Sequence, residues 1–549
     1  MEFKSNNFFL RNIFYFLFTI YFLVGLSIFR DYGISVDEEF QRYSGFYWLN
    51  YILQFLPFNT LEINALNRLN EIGGFTLPNP KDFPFYGVVF DVPLAFLETI
   101  LNIQDSKTYF LLRHFFNFII FFISSIYFYK ILESRYKNKV IIFLGVLLYI
   151  SSPRIFADSF YNNKDIIFLS LVTISIYFQF KLLDNFNYKN IFYFSLFSGL
   201  TCAARVLGIF LPLSFLLFSF FSFLNKSLNL RDFKKIIAFL FLFFIFLFLF
   251  WPYLWEDPIK NLLYSFKVFS DYTALKIQML FNGRYIFSNL LPLSYLPTWI
   301  SITTPIVSLI LFIIGFSYLL KRFFIRITGL KNINIHEDLW RGNNEKKDFL
   351  IFLIFTSIAV YIILSNAVLY TGWRHLYFLH FFMIYVATFG IYFLHLVLKK
   401  RKYLIYFITI LILMNFYQIF KFHPYQNLYF NFFITDNKKN DFEIDYWGLA
   451  GVRFIRDILL IENNKTPTRI GVASYLPLER SLKMLNKEEA KLIKIVGQDF
   501  KQADYIFNNN MSEVDKNKNN KYDIPKNFEK ISEFNLEGFT IYELYRKIK

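Results

Sequence analysis

The stretch Ile236-Ile237-Ala238-Phe239-Leu240-Phe241-Leu242-Phe243-Phe244-Ile245-Phe246-Leu247-Phe248-Leu249-Phe250, running on through Trp251-Pro252-Tyr253-Leu254, carries no charge. A helix rises 1.5 Å per residue, so about 20 apolar residues cross a hydrocarbon core of roughly 30 Å. Residues 236–254 therefore read as a membrane span. Further apolar runs recur at 9–30, 108–132, 139–152, 165–182, 190–204, 206–224, 298–320, 349–367, 376–398 and 403–421, giving about eleven predicted spans. Of the 549 residues 55% are hydrophobic and 22% aromatic, against 18% charged. A soluble chain of this length would divide into domains with charged surfaces, and this composition excludes that.

The 58 basic and 41 acidic residues leave a charge of +17. The basic residues sit mostly in short loops between apolar runs, and the aromatics lie inside the runs. That is the pattern of a chain anchored to a bilayer and argues against nucleic acid as a partner. Cys202 is the single cysteine, so an intrachain disulfide framework and a Cys-rich metal site are both excluded. The run from Phe9 to Phe29 has no small-residue cleavage motif after it and reads as a retained first span.

Orientation follows the Lys/Arg bias of the short loops. Arg135/Lys137/Lys139, Lys226/Arg231/Lys234/Lys235, Lys321/Arg322/Arg326 and Lys399-Lys400-Arg401-Lys402 are expected in the cytoplasm, with Lys4 and Arg11 placing the N-terminus there. These loops share a side only if residues 87–103, which carry Asp91, Pro93 and Glu98, form an interfacial or re-entrant helix. The outside then receives 31–107, 153–164, 255–297, 366–375 and the chain after about residue 421. From Asp436 the sequence turns polar. Short β-like runs (469–473 and 504–507) alternate with helical patterns near 448–462 and 478–492, while the Asn/Lys-rich stretch 508–521 has the composition of a flexible loop. The expected architecture is an all-α polytopic membrane domain over residues 1–421, with interfacial helices in its loop 31–107, and a small extracytoplasmic α/β domain over 422–549.

Ionisable residues gather at the ends of the outer loops. Asp37-Glu38-Glu39 begins the first. Neighbouring residues on a helix diverge by about 100°, so at most one or two of the three acids face one cleft. Either one of them is a general base for a hydroxyl, or the three are an acidic helix start with Ser35 as N-cap. Pro153 stops a span, and the loop after it presents Arg154, Asp158, Lys164 and Asp165 at the membrane face, as a site or as a water-facing turn. Arg205 ends a span, where it either snorkels or holds a phosphate in its planar fork. Arg284 and the pair Arg374-His375 fall on the same outer side, against the positive-inside tendency, and an anionic ligand would account for them. Trp251, Tyr253 and Trp255 suit an interfacial belt or the wall of a lipid or sugar groove. No histidine pair has metal-ligand spacing, and there is no P-loop, Rossmann fingerprint or nucleophile elbow.

Three of these features occur in an order that resembles the GT-C class of membrane glycosyltransferases, within it the superfamily of protein O-mannosyltransferases and lipid A aminoarabinose transferases. They are the acids after the first span, Ser152-Pro153 followed by a loop closing on Asp165, and Arg205 after a Gly199-containing run. The likeness covers about 420 residues in layout and three short motifs in identity. It implies that Asp37 activates the acceptor, with Asp165 near the donor and Arg205 near the donor phosphate; the run Asp37-Glu38-Glu39 leaves open which carboxylate does the work, Glu38 being taken as a catalytic residue beside Asp37. Arg154, Arg284, Arg374 and His375 are taken as further donor-binding residues. The chain departs from the family in its triple acid and in having Phe83-Pro84-Phe85-Tyr86-Gly87 where a His-Pro-Pro stretch is usual. The implied activity is transfer of a sugar from a polyprenyl-phosphate carrier to a hydroxyl of a protein, lipid or glycan, on the extracytoplasmic face of a bacterial plasma membrane. Such chemistry requires no redox cofactor and no nucleotide-binding loop on the cytoplasmic side, and a divalent metal is left open. Two rivals are a transporter or flippase of lipid-linked sugars, which predicts inverted repeats and mid-span charges, and a scaffold whose outer domain binds a partner.

Overall fold

A computed structural model of the protein describes residues 7–72, 77–224, 228–270, 276–329, 340–365, 367–462 and 467–548. Lys4 and Lys226, used above for orientation, lie outside them. The first helix, α1 (Asn7–Ile28), leads to a helical outer loop of α2 (Glu38–Leu53), α3 (Asn59–Ile72) and α4 (Asp91–Ile100). The bundle continues with α5 (Ser106–Arg135), α6 (Lys139–Ile150), α7 (Pro153–Tyr161), α8 (Asp165–Asp184), α9 (Tyr188–Ala204), α10 (Phe210–Leu224) and α11 (Leu230–Phe250). A second excursion holds α12 (Pro258–Ser270) and the hairpin β1 (Gln278–Phe281) and β2 (Arg284–Phe287). Helices α13 (Tyr295–Thr303), α14 (Ile306–Gly329), α15 (Gly342–Leu364), α16 (Leu379–Val397) and α17 (Arg401–Lys421) complete the bundle.

Among the described residues eight helices are long and apolar enough to cross a bilayer, or nine if the bent pair α6 and α7 counts as one span. The eleven runs of the sequence also include α1, whose apolar part is Asn12–Ile28, and α9, with 17 residues; both are shorter than those eight. Between α6 and α7 the axis turns by 60°, because Pro153 starts a new helix after the Ser152 cap instead of continuing the old one. With only ten residues, α4 is too short to span, as the charges in 87–103 suggested.

Two glycines bring α14 and α16 into backbone contact. A Cβ on Gly315 would lie 2.1 Å from the Val386 carbonyl oxygen, and one on Gly390 would lie 2.2 Å from that of Leu311. Small residues facing each other in this way are how helices pack where lipid offers no hydrophobic drive to associate.

The polar C-terminal region forms an α/β domain: α18 (Gly451–Ile461), β3 (Thr468–Val472), α19 (Lys487–Lys491), β4 (Ile493–Gly497), β5 (Tyr505–Asn508), β6 (Phe528–Leu536) and β7 (Phe539–Lys547). The strands make one mixed sheet in the order β4-β3-β5-β7-β6, with β3 parallel to both β4 and β5 and the β6–β7 hairpin antiparallel. The stretch 508–521, expected to be flexible, is tied to the hairpin of the membrane domain. The Gln278 amide donates to Glu513 O at 3.0 Å, and the Asp515 amide to Gln278 Oε1 at 2.6 Å. Its composition reported polarity, and here the polarity is used in specific hydrogen bonds.

Candidate active site

The acids at 37–39 separate in three directions. Asp37 is the N-cap of α2 but makes no capping bond, which leaves its carboxylate for other partners. Ser35, the expected cap, instead donates its hydroxyl to Tyr161 O at 3.2 Å. Glu38 turns back, accepting from the Ser35 amide at 2.6 Å and lying 2.9 Å from His114 Nε2. It is fully buried and helps to fasten the start of α2. Glu39 pairs with Lys483 of the C-terminal domain.

Asp37 meets Arg374, whose Nη1 donates to Asp37 Oδ2 at 2.7 Å. The same nitrogen stands 4.0 Å from Asp165 Oδ2. Asp165 is held in turn by Arg205 through Nη2, and its own backbone amide donates to Asn162 Oδ1 at 3.0 Å. The second fork nitrogen of Arg205 donates to the His375 carbonyl oxygen at 2.9 Å. Asp37, Arg374, Asp165, Arg205 and His375 thus form one connected polar cluster. It draws on the outer loop, the start of α8, the end of α9 and the turn before α16.

Local backbone explains each placement. Arg205 is extended between the end of α9 and a 3-10 turn at 206–209. Its strand-like bridge to Tyr86 docks the Phe83-Pro84-Phe85-Tyr86-Gly87 stretch against it. The Gly87 amide donates to Ala204 O at 3.2 Å, and a Cβ on Gly87 would fall 1.5 Å from Ala203 O. Arg374 is aimed by left-handed backbone at Thr371 and Gly372. Its guanidinium lies 4.6 Å over the ring of Trp447 and 5.2 Å over that of Tyr370. The Val36 amide donates to Trp447 O at 3.0 Å, so the segment covering Arg374 also pins the turn at Asp37.

Burial would raise the Asp37 carboxyl, but the Arg374 guanidinium, then Lys164, outweigh it and hold the group well below the usual carboxylate range. The His375 imidazole goes down with burial and with the cations Arg374 and Arg205 beside it, so it is neutral at neutral pH. Its Nδ1 is buried without a hydrogen-bond partner. Lys164, half-buried, lies over the rings of Tyr86 at 4.5 Å and Phe40 at 5.3 Å. Glu443 is buried with Oε2 unpartnered, and burial pushes its carboxyl up to about 8 against the pull of Arg374.

Two residues expected at the donor lie outside this cluster. Arg154 is buried and donates from Nε to Tyr429 O at 2.9 Å, under Phe430 and Trp299, where it joins α7 to the segment after α17. Arg284 is exposed on β2 and forms no ion pair among the described residues. Conversely, the reading by sequence did not single out Trp447, Glu443 or Tyr86. Only Tyr86 had a signal, the departure at 83–87. Both site aspartates are engaged by guanidiniums. Among the described residues no three His, Cys, Asp or Glu side chains gather as a metal would require.

Beside the cluster opens a cavity of about 300 Å³. Arg205 and His375 line its polar part, and Phe85, Leu207, Phe269, Ile362 and Leu369 supply apolar wall.

The fold and this cluster define a multi-span membrane protein with an ion-paired polar cluster among its loops and helix ends. Residues 94–255 match the family model for dolichyl-phosphate-mannose-protein mannosyltransferase. That segment runs from α4 to just past α11 and includes Asp165 and Arg205. The match bears out the resemblance to GT-C, mannosyltransferase-like glycosyltransferases and does not favour the transporter reading. No curated protein matches the chain.

Proposed function

We propose that this protein transfers a sugar from a polyprenyl-phosphate donor to an acceptor hydroxyl on the extracytoplasmic face of the membrane. The observation that carries the reading is Arg374, shared between Asp37 at 2.7 Å and Asp165 at 4.0 Å, with Arg205 at the mouth of the adjacent apolar cavity. A phosphate carrying a long apolar tail suits a cavity with the Arg205 guanidinium in its wall, Arg374 joined to it through Asp165, and aromatic and aliphatic residues around the rest.

Asp37 takes the proton of the acceptor hydroxyl, whose oxygen attacks the anomeric carbon. The bond from that carbon to the phosphate oxygen breaks, and the lipid phosphate leaves with the electron pair. Arg205 and Arg374 face the charge that develops, which is where fixed cations contribute most to rate. In the resting site Arg374 makes Asp37 a weak base. A donor phosphate beside Arg374 offers it a third anion, after Asp37 and Asp165, and loosens that hold. The residues present suit this arginine clamp, and no step is routed through a metal.

The test is Asp37→Asn in purified membranes supplied with polyprenyl-phosphate carrying a radiolabelled hexose. Removal of a general base is expected to slow transfer by about 10²–10⁴-fold with the melting temperature little changed. Transfer at a near wild-type rate would remove Asp37 from the role. Mass spectrometry of polyprenyl-phosphate sugars in a deletion strain is expected to show the donor accumulating.

A further inference from the structure

A groove beside the C-terminal domain lies away from the cluster, between the end of α1, the start of α5 and α18, and has a volume of about 830 Å³. Its floor is apolar. Leu111, Leu112 and Phe115 come from the first turns of α5, a helix that spans, and Leu460 of α18 contributes a side chain 85% exposed. Its rim is cationic. Arg30, Lys107, Arg453 and Arg456 all line it, all are exposed, and among the described residues none of them forms an ion pair. The two acids that also line it are engaged elsewhere, Asp31 with His423 at 2.9 Å and Asp457 by the Tyr542 hydroxyl.

Four cations without a carboxylate partner, two of them lying over rings (Arg453 over Phe534, Arg30 over Phe29), stand beside an apolar floor where a spanning helix begins, and this is the chemistry of the boundary between headgroups and acyl chains. α18 has the matching form, with arginines at 453 and 456 and apolar Leu459, Leu460 and Ile461 at its end. A soluble anion would use the rim and leave the floor bare. An anionic lipid uses both.

We propose that this groove binds the phosphate headgroup of an anionic phospholipid, from the leaflet at the bundle end that carries the C-terminal domain, and so docks that domain to the membrane. The inference stands whether or not the transfer reaction is as proposed. Full-length protein in mild detergent is titrated with phosphatidylglycerol and, separately, phosphatidylcholine, and bound lipid is counted by native mass spectrometry. Phosphatidylglycerol is expected to bind about tenfold more tightly, to resist displacement by excess inorganic phosphate, and to lose its advantage in the Lys107→Gln/Arg453→Gln/Arg456→Gln variant. Arg30→Gln, just past the end of α1, is expected to weaken it in the same direction, and Lys487→Gln, exposed on α19, to leave it unchanged. Equal binding of the two lipids, displacement by inorganic phosphate, retention of the preference in both groove variants, or its loss in Lys487→Gln would each overturn the proposal.

Discussion

Arg374 is asked to hold two carboxylates, and the titration of Asp37 shows what that does. With Arg374 in place the folded Asp37 is depressed below its unfolded value near 4, so the stability it contributes is complete above that value and is lost only in strong acid. The wild-type rate is therefore expected to have no acid limb from Asp37 between pH 5 and 8. In Arg374→Gln burial prevails, the carboxyl rises, and the residual activity is expected to fall as the assay is taken from pH 7 to pH 5. Glu443 works in the other sense. Its folded carboxyl is raised to about 8, so the contribution is present below about pH 4 and is lost as pH rises towards 8. Melting temperature is expected to decline over that window and to flatten in Glu443→Gln. Arg205→Gln leaves Asp165 buried without its guanidinium, a loss of about 3–5 kcal/mol, and adding Asp165→Asn should recover part of it. Asp37, Asp165, Arg205 and Arg374 were legible in the sequence because charge beside long apolar runs is costly and has to be answered. Arg154 passed the same filter for another reason, a backbone carbonyl and two rings that only the folded chain assembles. Trp447 and Glu443 sit in a polar tail where an aromatic or an acid carries no such signal.

At the level of elements, apolar runs told where helices lie but not how they end or meet. A span and a bent pair of half-helices look alike in hydropathy, and only Pro153 hinted at the 60° turn between α6 and α7. The β6–β7 hairpin escaped notice because β6 is an exposed edge strand with little apolar alternation, and its turn is Glu537-Gly538, both in left-handed backbone, in place of the usual Asn-Gly. Contacts through glycine are equally silent in sequence, yet they make sharp predictions. Gly390→Leu drives a side chain into the α14 backbone at Leu311, and overpacking of this kind is expected to cost at least about 1–3 kcal/mol, read as a lower melting temperature in detergent. Gly87→Ala meets the Ala203 carbonyl and displaces the loop that bridges to Arg205. It is expected to reduce transfer more than it reduces melting temperature, which separates damage to the site from damage to the bundle.

For the whole molecule the question is whether the C-terminal domain and the acids of the first outer loop belong to one side of the membrane and to one working unit. The contacts join them: Lys483 to Glu39, the Ser106 hydroxyl to Lys483 O at 2.8 Å, Trp447 over Arg374, and Phe539 stacked on Phe430 at 5.5 Å. A domain that covers the central arginine is more than an appendage to the bundle. Because α5 spans, its Asp105 end and its Arg135 end must lie across the bilayer from each other. Sidedness can therefore be read with single cysteines on a Cys202→Ser background, since Cys202 is buried. Lys107→Cys and Glu479→Cys, both exposed at the end that holds the cluster, are expected to react with a membrane-impermeant maleimide added to intact cells. Lys137→Cys, exposed just beyond the other end of α5, is expected to react only after the membrane is opened. The reverse pattern would put the cluster in the cytoplasm and overturn the proposed transfer from a lipid-linked donor on the outer face.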